Sequence, residues 1–102
     1  MADLSIPNPE GPVLLIGAAL IDILGRLRSE LEENSSNPAR IRMAYGGVVR
    51  NIAENLARLG QEAILLTAVG DDPAGEGLLE NVAEAGVDTS HVLRVSDYPT
   101  GA

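Results

Sequence analysis

Two apolar runs of strand length, an unbroken VLLIG at 13–17 and AILLTAV at 63–69 with one threonine, stand on either side of a stretch whose apolar residues recur at helical spacing. That order narrows the fold more than any other feature of the chain. A strand apolar at every position suits a parallel sheet covered on both faces, whereas a half-solvated antiparallel sheet would alternate. Val13 to Gly17 is therefore expected as a central strand. Between the runs, Val48, Ile52, Leu56 and Leu59 share one helical stripe, and Gly60 follows at a natural C′ position. After the second run, GDDPAG (70–75) reads as a turn into another helix, with Asp71 or Asp72 as its cap and Pro73 at or near its first position. Leu78, Leu79, Val82 and Ala83 form the apolar face of that helix, and Gly86 ends it. A strand-like HVLRV (91–95) and a turn-rich DYPTG (97–101) complete the chain. Strand, helix, strand, helix, strand predicts an α/β fold with a parallel sheet and right-handed crossovers.

One segment departs from this order. From Arg26 the pattern alternates, with Leu27 between Arg26 and Arg28, and the alternation returns as Ile41, Met43 and Tyr45 set among Arg40, Arg42 and Ala44. Period two means one wet face. SELEENSSNPA (29–39) lies between, a loop by its acids, serines and Asn37-Pro38. The two half-polar strands are expected to pair as an antiparallel ribbon standing off the sheet.

At 102 residues the chain suits one small domain, which buries about two-thirds of the surface its unfolded form exposes. Phe and Trp are absent, so the core is aliphatic and Tyr45 and Tyr98 are the only rings available to stack on a base or sugar. A net charge of −8 excludes a nonspecific polyanion-binding surface, and no nucleic-acid partner is expected. The cations, all arginine, are unevenly placed: Arg26, Arg28, Arg40, Arg42 and Arg50 lie close together, with only Arg58 and Arg94 elsewhere. They are either solvated positions on exposed strands or, in part, contacts to an anionic ligand. With no cysteine, disulfides and thiolate metal sites are excluded, and a cytoplasmic location is the default. The apolar run 13–24 is too short to span a bilayer and contains Asp22, so no membrane association is expected. Residues 1–12, with three prolines and no basic segment, read as a loose lead-in rather than a signal peptide.

Few residues are candidates for chemistry. Asp22 follows the first apolar run, at the end of a parallel strand where ligands of α/β sheets gather. An ionised carboxylate only accepts hydrogen bonds, which suits paired hydroxyls of a sugar, though the residue could equally just interrupt the strand and face water. In GGVVRN (46–51), two glycines permit close backbone approach, the helix start offers free N–H groups, and Asn51 can both donate and accept. The same Gly-Gly turn also serves helices that bind nothing. Asp71-Asp72 has no further ligands nearby and reads as a cap, so no metal site is expected. His91 has no nucleophile beside it and reads as a bystander. Gly17-Ala18-Ala19 lacks the later glycines of a dinucleotide fingerprint, and without lysine there is no Walker A loop.

Taken together, GGVVRNIAENLARLG (46–60), the AVGDDPAG that follows it, GVDTSHV (86–92), IGAALID (16–22) and YPTGA (98–102) resemble the N-terminal part of the ribokinase or PfkB carbohydrate kinases. The resemblance covers nearly everything after Pro12. It implies the N-terminal part of a ribokinase-like, three-layer Rossmann-type fold over residues 13–102, with a β-ribbon lid at about 23–45. It further implies that Asp22 holds sugar hydroxyls, that Gly46 and Gly47 approach the sugar through their backbone, and that Asn51 hydrogen-bonds it. Two positions depart from the family pattern: Leu20 stands where many members have Asn, and Val49 where a small residue or proline is usual. Within the family, residues 36–60 are more similar to pseudouridine kinases than to ribokinase or fructokinase, which implies a nucleoside substrate and its 5′-phosphate as product. A ribokinase- or fructokinase-type sugar kinase, and a non-catalytic assembly module, are the alternatives. ATP and Mg2+ are the cofactors implied for a full-length enzyme, with the anion hole, the catalytic base and the ATP pocket beyond Ala102. These residues alone are accordingly expected to bind neither cofactor well and to be inactive. The ribbon's edges can pair with another chain, so a homodimer through the lid ribbon is a further expectation.

Overall fold

A computed structural model describes residues 11–102, so the predicted lead-in, up to residue 10, lies outside the described residues. Strand β1 (Val13–Ile16) pairs in parallel with β4 (Ala63–Leu66), and β5 (Ala68–Gly70) pairs in parallel with β6 (Leu93–Val95). The apolar run 63–69 is thus one extended segment interrupted at Thr67. Its hydrogen bonds alternate between two neighbours. On one edge Val13 N–H donates to the Glu62 carbonyl at 2.9 Å and Gly17 N–H to that of Leu66 at 3.3 Å. On the other, Leu65 N–H donates to Asp88 at 3.0 Å and Leu93 N–H to Thr67 at 2.9 Å. The central position therefore belongs to β4–β5. Among the described residues β1, expected as a central strand, pairs on one side only, with β4. Of its side chains Leu15 is buried, while Leu14 and Ile16 are exposed because nothing among these residues covers that face.

Helix α1 (Val48–Arg58) joins the ribbon to β4, and α2 (Pro73–Glu84) joins β5 to β6. Both end as their glycines predict. Gly60 (φ 87°) and Gly86 (φ 99°) take left-handed conformations, with Gly60 N–H on Ala57 and Gln61 N–H on Leu56, and Gly86 N–H on Ala83. Asp72 caps α2 by accepting from Gly75 N–H at 2.7 Å. Leu78, Leu79 and Val82 are buried as expected, whereas Ala83 is exposed.

The buried face of α1 is not the predicted one. Val49, Ala53, Leu56 and Ala57 face the core, with Ala53 fully buried, while Val48 is 75 % and Leu59 83 % exposed. The reason is close approach: Ala53 and Ala57 let the helix backbone lie near the sheet, and Val49 seats its side chain against Gly17, where an added Cβ would come within 3.2 Å of Val49 Cβ. The Val49 departure from the family pattern is absorbed there.

The ribbon consists of β2 (Leu20–Leu27) and β3 (Ala39–Gly46), antiparallel, with Leu20 opposite Gly46 and Leu27 opposite Ala39. It starts earlier than the alternating pattern suggests, because Leu20 to Leu24 read as a continuation of the first apolar run. Its tip is shaped by Asn37, whose side chain donates to the carbonyls of Glu32 and Ser35 and accepts from Glu32 N–H. A radius of gyration of 17.8 Å, against about 13 Å for a compact chain of this length, reflects a ribbon projecting from the α/β body.

Candidate substrate site at the base of the ribbon

Asp22 is the third residue of β2, opposite Ala44, rather than a residue just past β1. It is exposed and makes no hydrogen bond or ion pair among the described residues. Its carboxylate leans towards Gly46, where an added Cβ would lie 2.9 Å from Asp22 Cγ. Gly46 therefore leaves the space that the carboxylate fills. Gly47 meets a different demand: its φ is 99°, and an added Cβ would sit 2.5 Å from the Ala18 carbonyl oxygen and 3.1 Å from Ala19 Cα.

The chain enters α1 directly from Gly47, which caps the helix without a side chain. Asn51 N–H is the first to bond back, to the Gly47 carbonyl at 3.0 Å, so the amides of Val48, Val49 and Arg50 have no intrahelical acceptor. Asn51 is exposed, and its side-chain oxygen accepts from Arg50 Nη1 at 3.0 Å. The structure thus gathers Asp22, Gly46 and Gly47 at the foot of the ribbon. Asn51 lies one turn further on, with its amide nitrogen unengaged by any described residue.

Arg50, grouped by sequence with the surface cations, is in fact buried. It donates to Glu54 Oε2 at 3.1 Å and also to Asn81 of α2, tying the two helices together. Arg58 hydrogen-bonds the other oxygen of Glu54, and that contact, ahead of Arg50, holds the Glu54 carboxyl below the usual range.

A further support was not read from the sequence. Asp72, besides capping α2, accepts from Thr100 Oγ at 2.6 Å and Thr100 N–H at 2.9 Å, and Gly70 N–H donates to Thr100 Oγ at 3.0 Å. The Thr100 hydroxyl, then the Thr100 and Gly75 amides, lower the Asp72 pKa. Segment 98–101 is thereby pinned so that the Gly101 carbonyl accepts from Ile21 N–H at 2.9 Å, beside Asp22. Only a cap was legible, because a contact across 28 residues leaves no periodic trace. Tyr45 is also displaced from its expected availability. It is opposite Ile21, on the ribbon face away from Asp22, and an added Cβ on Gly77 of α2 would meet its hydroxyl at 2.9 Å. Tyr98 remains exposed, beside a recess of about 190 Å3 at the ends of β5 and β6.

The structure thus has a carboxylate with no partner among the described residues against Gly46, and helix-start amides with no intrahelical acceptor just beyond Gly47. Residues 12–102 match the pfkB family of carbohydrate kinases. The chain belongs to that family. Over 90 residues it is 48 % identical to a pseudouridine kinase of Escherichia coli, covering 88 % of this chain and 29 % of that protein. It is 33 % identical over 89 residues to a guanosine-inosine kinase of Exiguobacterium acetylicum, covering 87 % and 29 %. Arabidopsis thaliana ribokinase complexed with ribose and ATP superposes with a TM-score of 0.77 at 25 % identity, over 87 % of this chain and 30 % of that one. The fold is the N-terminal part of the ribokinase-like fold, and the chain spans under a third of the length of these relatives.

Proposed function

We propose that these residues form the substrate-holding part of an ATP-dependent kinase that phosphorylates a hydroxyl of a nucleoside, with pseudouridine as substrate and its 5′-phosphate as product. The observation that carries the reading is Asp22, a carboxylate without a partner among the described residues, set against Gly46 just before the start of α1. In this reading Asp22 accepts from the ribose hydroxyls, and the Gly46-Gly47 backbone lies against the sugar. The free amide nitrogen of Asn51 adds a donor, and the ribbon closes over the ligand and excludes water. The 48 % identity to a pseudouridine kinase supports the choice of nucleoside over hexose.

ATP would supply the phosphoryl group and Mg2+ would neutralise its charge. The residues described here do not fit that role. They contain no cluster of three acidic or histidine side chains suited to a metal ion, and the chain has no lysine for a phosphate loop. Both cofactors are assigned to the rest of a protein of the relatives' length, working in the cytoplasm. Among the described residues no helix is long and apolar enough to cross a membrane.

Calorimetric titration of the whole protein with pseudouridine, uridine, ribose and fructose tests the reading. Pseudouridine is expected to bind most tightly, and preference for the free hexose would overturn the nucleoside assignment.

A second reading is favoured by the back of the ribbon. Ile23, Met43 and Ile41 are exposed there on one face, which suits assembly of two copies through their ribbons. Sedimentation is expected to show a dimer, and a monomer at high concentration would contradict it.

A further inference from the structure

Arg50 is only 5 % exposed, a charged side chain packed between α1 and α2. Replacing a buried ion pair by apolar side chains of similar volume is often neutral for stability or better, so an arginine is a poor choice if joining two helices is all that is needed. Its guanidinium is fixed from two directions. Nη2 donates to the side-chain oxygen of Asn81 on α2, and Nη1 donates to Glu54 Oε2 at 3.1 Å. Glu54 is held in turn, since Arg58 Nη2 donates to its Oε1 at 3.1 Å.

Nη1 also donates to Asn51 Oδ1, at 3.0 Å. Packing of the two helices does not require that bond, because Asn51 is exposed. Its effect is on the amide. A side-chain amide has an acceptor end and a donor end of similar size, and left alone it presents either one. A guanidinium has donors only, so it takes the oxygen and turns the nitrogen away. Because the donor is charged, it holds that oxygen more firmly than a neutral donor would. Asn51 Nδ2 is left without a partner among the described residues, one helical turn beyond Gly47.

We infer that Arg50 is a positioning residue: from its seat between Glu54 and Asn81 it sets the Asn51 amide with its nitrogen outward, so that the proposed site presents Asp22 as acceptor and Asn51 as donor. This role rests on the reading of Asn51 as a contact to the substrate. Arg50 itself touches no substrate in this arrangement, and α2 supports the site through Asn81.

Calorimetric titration of the whole protein with pseudouridine tests the role in a double-mutant cycle of Arg50→Met and Asn51→Ala. Methionine is unbranched and fills much of the space of the arginine stem, and circular dichroism checks folding. Asn51→Ala is expected to weaken binding by about three- to tenfold and Arg50→Met by about threefold, with no further loss from Arg50→Met once Asn51 is replaced. A merely structural arginine would weaken binding by the same factor in both backgrounds. That outcome, with Asn51→Ala weakened as expected, would overturn the role of Arg50 alone, as would an Arg50→Met that binds like the wild type. An Asn51→Ala of unchanged affinity would remove the reading of Asn51 as a substrate contact and the role of Arg50 with it. Arg50→Lys covers the case in which Arg50→Met does not fold. Its head group is also donor-only, so it should bind within about threefold of the wild type. A lysine variant that folds yet loses as much affinity as Asn51→Ala would contradict the inference.

Discussion

Gly46 and Gly47 are adjacent, yet the structure asks different things of them. Gly46 yields the space taken by the Asp22 carboxylate, so Gly46→Ala should push that carboxylate aside and weaken sugar binding with little loss of fold. Gly47 is fixed by its backbone, and Gly47→Ala should destabilise by about 1–3 kcal/mol in urea unfolding, whether or not ligand is present. Asp72 is a residue-scale clamp with a pH signature. Because its folded pKa is depressed, its contribution is complete above the unfolded value of about 3.9 and is lost as pH falls through the lower folded value. Thr100→Val removes the main cause of that depression. Its stability deficit, measured by urea unfolding, should be present at neutral pH and narrow as the solution is acidified below that range. A deficit independent of pH would contradict the clamp.

At the level of elements, α2 was legible at both ends and over most of its face, because Asp72, Pro73 and Gly86 punctuate it and Leu78, Leu79 and Val82 are large enough to mark the buried side, which Ala83 does not join. For α1 the ends were legible and the face was not. Ala53 and Ala57 carry the packing by being small, and a stripe sought among large apolar residues finds Val48, Ile52 and Leu59 instead, all of them exposed. The same closeness makes Gly17 and Val49 interdependent. Gly17→Ala should destabilise by about 1–3 kcal/mol, and Val49→Ala should restore much of that loss in a double-mutant cycle, whereas additive effects would show that the two do not share a contact. The start of β2 was hidden for another reason: the apolar run continues through Leu20 and Ile21 and masks the break between sheet and ribbon. Asp22 was therefore legible as a candidate, but its place in the ribbon was not.

Across the whole molecule, the sheet has helices packed against one face, while Leu14, Ile16 and Leu93 are left exposed on the strands. Parallel sheets are ordinarily covered on both faces. The 102 residues in isolation should bind a hydrophobic dye strongly, and a whole protein of the relatives' length should not. Equal dye binding by the two would contradict that account of the sheet. The ribbon, by contrast, projects from the body and presents two unlike faces, one apolar and one bearing Asp22 and the arginines. The proposed substrate site is on the second of these, where it meets the start of α1. The most direct measurement is calorimetric titration of pseudouridine into the whole protein and its Asp22→Asn variant. The account predicts affinity weakened by about tenfold or more in the variant with folding intact, as expected for losing hydrogen bonds to a charged acceptor. An unchanged affinity would contradict it.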